Sequence, residues 1–213
     1  MNRSSMTEVT MGLLKSLFER AKGIVLNPRF EWELIDVETI SIRDLYKYYI
    51  MPMAAIEPVA SIIGASFVGF NVPFLGHYYM PLSYSVLRAT FCYVVFLVGI
   101  YLVALLIAYT ARRFDGEADL VQALKLTAYS STPVWILGVF SLVPDLRYVS
   151  FLGFFYTVYL LYLGLPVLMK CSLDKRFSCL FVAGVFFLLL FLVVSFVGNF
   201  FFILSSPQVI GGV

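Results

Sequence analysis

Leu120–Val143 reads LVQALKLTAYSSTPVWILGVFSLV, a stretch apolar and long enough to cross a bilayer but interrupted at its centre by Tyr129, Ser130, Ser131, Thr132 and Pro133. A proline inside a membrane helix has no N–H for the carbonyl four residues back, which frees the Tyr129 carbonyl among three hydroxyl side chains. Groups freed at mid-depth need partners, so the rest of the chain is expected to be arranged around this interrupted helix. The local alternative is that Ser and Thr satisfy the kink themselves by bonding back to the preceding turn.

The surrounding chain is of the same character. Of 213 residues, 61% are hydrophobic and 13% charged, and the mean hydropathy is +0.92, which excludes a soluble globular domain. Apolar spans are expected at 48–70, 85–111, 120–142, 148–169 and 179–204, each reaching the ~20 residues that a ~30 Å hydrocarbon core requires. The fold class that follows is an all-α, polytopic membrane protein of five transmembrane helices with a cytosolic amphipathic N-terminal region. Residues 1–47 form that leader, 48–204 the five-span domain, and 205–213 a short extracytoplasmic tail. No cleavable signal is visible in the first twenty-five residues, where charges interrupt every apolar run.

Orientation comes from Lys and Arg. Thirteen of the fifteen fall in the leader and in the connections after the second and fourth spans, leaving Arg88 and Arg147 on the other side. The positive-inside rule places the N-terminus in the cytosol and the C-terminus outside, in the plasma (inner) membrane if the chain is prokaryotic. The connection 71–84 carries no Lys, Arg, Asp or Glu and is expected to lie in the interface.

Within the leader, apolar residues recur at helical spacing from Val9 to Leu26 with Lys15, Arg20 and Lys22 between them. The pattern suits a helix on an anionic leaflet, with packing against the protein's own core as the alternative. Asn27-Pro28 marks the start of a second helix with Phe30, Leu34 and Val37 as its apolar face and Trp32 as an interfacial anchor. Ser41 and Asp44 make a short-armed capping box ahead of the first span.

In the fourth span, Tyr156, Tyr159 and Tyr162 form a stripe whose deeper members should hydrogen-bond within the bundle. Ser61, Ala65 and Gly69 on the first span, and Ala104 with Ala108 on the second, permit close helix approach. Three scattered cysteines and a lone His77 offer neither a disulfide framework nor a metal site. No phosphate loop, HExxH, GxSxG or carboxylate cluster occurs, so the reading is a non-enzyme without cofactor, metal or nucleic-acid partner.

Two short motifs carry a family resemblance. Asp44-Leu45-Tyr46 ahead of the first span and Tyr129-x-x-x-Pro133 inside the third resemble those of the YIP family, the Ypt/Rab-interacting multispan proteins of secretory membranes. The text around them, NPRFEWELI, DLYKYYIMPMAAI and YLLYLGLPVLMK, is similar to the family's prokaryotic branch. Eukaryotic members carry Gly-Pro after the Asp-Leu-Tyr, where this chain has Lys47 and Tyr48. The resemblance covers roughly residues 14–202 and implies five spans, a cytosolic N-terminus and no catalytic chemistry.

Glu57 is the single acidic residue inside any expected span. Counted from Lys47 it lies ~15 Å deep, level with Ser130 and Ser131 if Leu120 enters from the same face. It is therefore expected to face the third span and bond the hydroxyls or freed carbonyl of residues 129–133. Two functions follow: a membrane adaptor or organiser that meets lipid or a protein partner on the cytosolic side, or a small transporter or channel built on Glu57 and the helix break. The bilayer is a partner in both, and self-association stays open.

Overall fold

The computed structural model describes residues 17–72, 76–113, 116, 119–170 and 176–205. Two leader helices come first, α1 over 17–26 and α2 over Pro28–Val37. Pro28 occupies the first turn of α2, where its missing N–H costs nothing, and Asn27 is the N-cap residue, although its side chain makes no capping bond. Of the expected leader helix, residues 9–16 and hence Lys15 lie outside the described residues.

The long helix α3, Ile42–Val68, follows. Its start is the expected capping box: the Ser41 hydroxyl accepts from the Asp44 N–H at 3.1 Å and donates to the Asp44 carboxylate at 2.7 Å. Wide π turns at Tyr46–Ile50 and Gly64–Val68, and a turn at Ala55, interrupt α3. Pro52 and Pro58 lie just beyond the first of these irregularities and just beyond the turn, as expected where a proline cannot complete the ladder.

Beyond α3 the connection expected in the interface forms a small antiparallel hairpin, β1 (Phe70–Val72) with β2 (Gly76–Tyr78). Gly69 and Gly76 take positive φ to make its corners. His77 bonds the Asn71 side chain at 3.1 Å and the Val68 carbonyl at 2.9 Å. Among the described residues no cluster of His, Cys, Asp or Glu is grouped to hold a metal.

The remaining helices are α4 (Leu82–Arg113), α5 (Leu120–Ser130), α6 (Thr132–Leu137), α7 (Ser150–Leu168) and α8 (Arg176–Ser205). Tight 3-10 turns over Gly138–Leu142 and Pro144–Val149 join α6 to α7. Four segments among the described residues are long and apolar enough to cross a membrane: Ile42–Val68, Leu82–Arg113, Pro144–Leu168 and Leu180–Gly198. The segment at 120–142 is not one continuous helix. It divides at Ser131 ahead of Pro133 and then tightens into 3-10 geometry.

α7 packs against α2, α5, α6 and α8, and α4 against α5 and α8. Ser61, Ala65, Ala104 and Ala108 are buried within this packing, consistent with close approach inside the bundle. Leu87, Val94, Val98 and Leu102 on α4 and Leu189, Leu192, Val193 and Phe196 on α8 point outward. That apolar exterior is what lipid would cover.

One glycine is indispensable to the crossing of α7 over the break. A Cβ on Gly153 would stand 2.9 Å from the Val134 Cα and 3.0 Å from its backbone nitrogen, so backbone rests on backbone there. Gly153→Val should force α6 and α7 apart and cost about 1–3 kcal/mol, the usual range for overpacking. A drop in the thermal midpoint of the purified protein checks this; an unchanged midpoint would show that the contact is loose.

Candidate functional site

The interrupted helix does organise its surroundings, through Tyr129. This ring is buried between Trp32 of α2 (centroids 6.5 Å apart, edge-on) and Tyr49 of α3 (4.5 Å), with the Arg20 guanidinium 5.8 Å from its centre. One turn on, the Thr132 and Tyr49 hydroxyls bond at 2.7 Å. Thr127 and Ser131 donate back to the carbonyls of Ala123 and Thr127, each at 2.8 Å, the local satisfaction that Ser and Thr offer inside a helix. Ser130 is buried, and its hydroxyl has no partner among the described residues.

The leader is seated on this aromatic cluster by polar bonds at its helix ends. The last carbonyls of a helix lack intrahelical donors, and side chains of the bundle supply them here. Lys125, 2% exposed, donates to the carbonyls of Ile35 (2.8 Å) and Glu38 (2.5 Å) at the end of α2. Its positive charge also suits the negative pole of that helix. Gln122 adds bonds to the Asp36 carbonyl and carboxylate at 3.2 Å, and the Tyr156 hydroxyl donates to the Val25 carbonyl of α1 at 2.7 Å.

Arg20 ties α1 to α2, bonding Glu31 at 2.6 Å and Glu38 at 2.7 Å. Burial works against its charge, but Tyr129, Glu38 and Glu31 outweigh it and hold the Arg20 pKa above the ordinary arginine value. A raised pKa means the contribution of this charge is present at every pH below the usual arginine range and is lost only in strong alkali.

Three sequence expectations are corrected by this arrangement. Trp32 is not an interfacial anchor: it is fully buried, and Gly164 of α7 makes room for it, since a Cβ there would meet the indole at 2.8 Å. Arg20 is engaged by two carboxylates instead of standing free at a lipid surface; Lys22 does remain exposed. Phe30, Leu34 and Val37 do share one face of α2 as expected, and it is the exposed one, opposite the buried Trp32 and Ile35. Lys125, counted above as a connection cation, lies inside α5.

Glu57 approaches the third apolar segment, but not at the break. A Cβ on Gly138 would fall 2.7 Å from the Glu57 Cβ, so Glu57 is level with Gly138, and Thr132 is instead level with Tyr49. The depth match fails because α5 begins beside the leader, with Lys125 bonded to the carbonyls of Ile35 and Glu38. No hydrogen bond joins Glu57 to residues 129–132 among those described.

Glu57 instead lines a cavity of about 420 Å³ bounded by α3, α4, α6, α7 and α8 and the 3-10 turns, together with Arg88, Ser61, Trp135 and Ser141. Ion pairs among the described residues are confined to those of Arg20, so Glu57 and Arg88 share the cavity without closing one. The Arg88 Nε and Trp135 Nε1 are buried donors with no partner among the described residues. No residue of the cavity forms a nucleophile–base pair of the kind acyl transfer needs.

The motif pairs of the sequence thus acquire positions. Asp44 donates its N–H to the Ser41 cap of α3, Leu45 is buried, the Tyr46 hydroxyl donates to the Leu97 carbonyl of α4 at 2.9 Å, and Tyr129 packs edge-on against Trp32 of α2 while Pro133 follows the break. A Yip1 domain model matches residues 22–196, from α1 into α8. The chain belongs to the Yip1 domain family. Its Yip1 domain includes both motifs and almost all of the leader that the structure describes. The chain is also similar to "Inner membrane protein YohC" of Escherichia coli strain K12, 28% identical over 161 residues that cover 73% of this chain and 82% of YohC. The same protein of Escherichia coli O6:H1 matches to the same extent. No solved structure matches. The family and the apolar helices together make this a multi-pass membrane protein.

Proposed function

We propose that this Yip1 domain is a non-enzymatic membrane adaptor, in which five crossings hold a seated leader and the leader's outer face meets a partner on the cytosolic side. The observation that carries the reading is the two-sidedness of α2. Its Trp32 face is locked into the bundle, while Phe30 (55% exposed), Leu34 and Val37 (78%) form an outward apolar row continued by Leu26. Exposed Lys22 and Arg29 border that row. A helix held this firmly yet apolar on its free side is suited to docking.

The fifth crossing is the segment from Leu126 to Leu142. Helical rise over 126–137 and the steeper 3-10 rise over 138–142 together span about 28 Å, of which about 19 Å lies beyond Thr132, the residue level with Tyr49 near the start of the first span. Its neighbours support a full traverse, since Thr132 pairs with Tyr49, Gly138 with Glu57, and Ser141 with Gly64, in step down α3. The charge count puts the leader in the cytosol and the C-terminus outside, and the likeness to an inner membrane protein supports the same membrane here.

Affinity purification from native membranes tests the reading. Phe30→Asp with Leu34→Asp should abolish recovery of a partner that the wild type retains, while leaving the thermal midpoint within about 0.5 kcal/mol of wild type, as for exposed sites. Failure to recover any reproducible partner with the wild type, together with no lipid phenotype on deletion, would count against an adaptor. A transporter or channel is the second reading, favoured by the cavity that joins Glu57 to Arg88. Solute flux in proteoliposomes, lost on Glu57→Gln, distinguishes it.

A further inference from the structure

The cavity between α3, α4, α6, α7 and α8 has a chemistry that neither the leader nor the helix break explains. Arg88 and Trp135 both line it, each carries a buried N–H without a described partner, and both groups can only donate. Glu57 lines the same space and, when ionised, only accepts. The two ends therefore ask for opposite things of whatever contacts them: Arg88 for an anion, Glu57 for a cation.

These groups are arranged in depth. Trp135 packs on Tyr49 and Phe96 toward the leader side, Glu57 lies two turns beyond Tyr49 on α3, and Arg88 lies two turns beyond Phe96 toward the start of α4. Glu57 and Arg88 therefore stand at about the same level on facing helices, and the walls around them include the apolar Ala65, Phe151, Phe191 and Val194. A volume of about 420 Å³ lies within the ~300–1,000 Å³ of small-molecule sites. It greatly exceeds the ~30 Å³ that one water occupies.

We propose that this cavity binds a zwitterion carrying an ammonium and a phosphate, the phosphoethanolamine class, with Glu57 taking the ammonium and Arg88 the phosphate. Guanidinium suits a phosphate because its planar fork can meet two oxygens at once. Phosphatidylethanolamine of the surrounding bilayer is one source of this group and free phosphoethanolamine the other. The inference does not rest on the adaptor reading, because the leader's outer row plays no part in it.

Native mass spectrometry of the purified full chain tests it, using mixed micelles that contain equal phosphatidylethanolamine and phosphatidylglycerol. The wild type should retain phosphatidylethanolamine by about tenfold or more, the size that one charge-assisted contact supplies. Glu57→Gln and Arg88→Gln should each bring that ratio toward one, whereas Arg88→Lys should keep part of it. Free phosphoethanolamine that displaces the lipid at millimolar concentration would identify the soluble source and sustain the site. Equal retention of both lipids by the wild type, with no binding of free phosphoethanolamine, would overturn the proposal. So would a preference left intact by both Glu57→Gln and Arg88→Lys, variants that keep the size and hydrogen bonding close to the original if Arg88→Gln fails to fold.

Discussion

Trp32→Ala is expected to lower stability by about 3–5 kcal/mol, the range for deleting a buried large aromatic side chain. The indole is fully buried against Tyr129, Leu126 and the bare backbone of Gly164, so no neighbouring side chain can collapse into the space without moving a helix. The loss should be felt first in the leader, whose α2 would keep only the buried Ile35 and its polar ties. Chemical or thermal unfolding of the detergent-solubilised protein measures the cost, and limited proteolysis between α2 and α3 reports where it falls. A cost below about 1 kcal/mol would mean that the leader contributes little to the fold.

Lys125→Met is the second large effect. The substitution keeps an unbranched side chain of similar length but removes the donor to Ile35 and Glu38. Two carbonyls at the end of α2 then lose a charged partner, at about 1–3 kcal/mol for each that stays buried. Water can reach Glu38, which is only part-buried, so the total is expected near the lower half of that doubled range. Lys125→Arg separates charge from fit: it keeps the cation but needs more room than a 2% exposed site gives, and should recover only part of the loss. An unfolding midpoint unchanged by Lys125→Met would remove the ammonium from the account of how the leader is held.

Together these residues show what could be read in advance and what could not. Four of the five apolar runs, the Pro28 start, the Ser41 cap and the split ahead of Pro133 are local features, set by residues within a few positions of one another, and each appears close to where the sequence puts it. Lys125 is different because its partners are backbone carbonyls 87 and 90 residues away, and a carbonyl leaves no mark in a sequence. The run Ala123-Leu124-Lys125-Leu126 did hold a signal, since a lysine on both sides of which apolar residues are buried must find acceptors. Trp32 suits an interface or a core equally well by composition; Gly164, on a different span, decides for the core.

The Glu57 expectation failed for a related reason. Depth along a span can be counted from sequence only if the entry point is known, and α5 enters beside the leader instead of at Leu120. The resulting shift of about two turns moves Glu57 from the hydroxyls of residues 130–132 to Gly138 and into the cavity with Arg88. Arg88 itself was counted only as a charge on the far side, because nothing within its own helix shows that it turns inward.

The central claim is that α2 is seated on the bundle, with Trp32 against Tyr129 and Gly164, and not merely floated on lipid. Hydrogen exchange of the α2 amides, followed in nanodiscs of varied anionic lipid content and ionic strength, tests it most directly. The account predicts slow exchange that is indifferent to lipid charge and salt and that becomes fast with Trp32→Ala. Protection that rises with anionic lipid, fades with salt and is untouched by Trp32→Ala would contradict it.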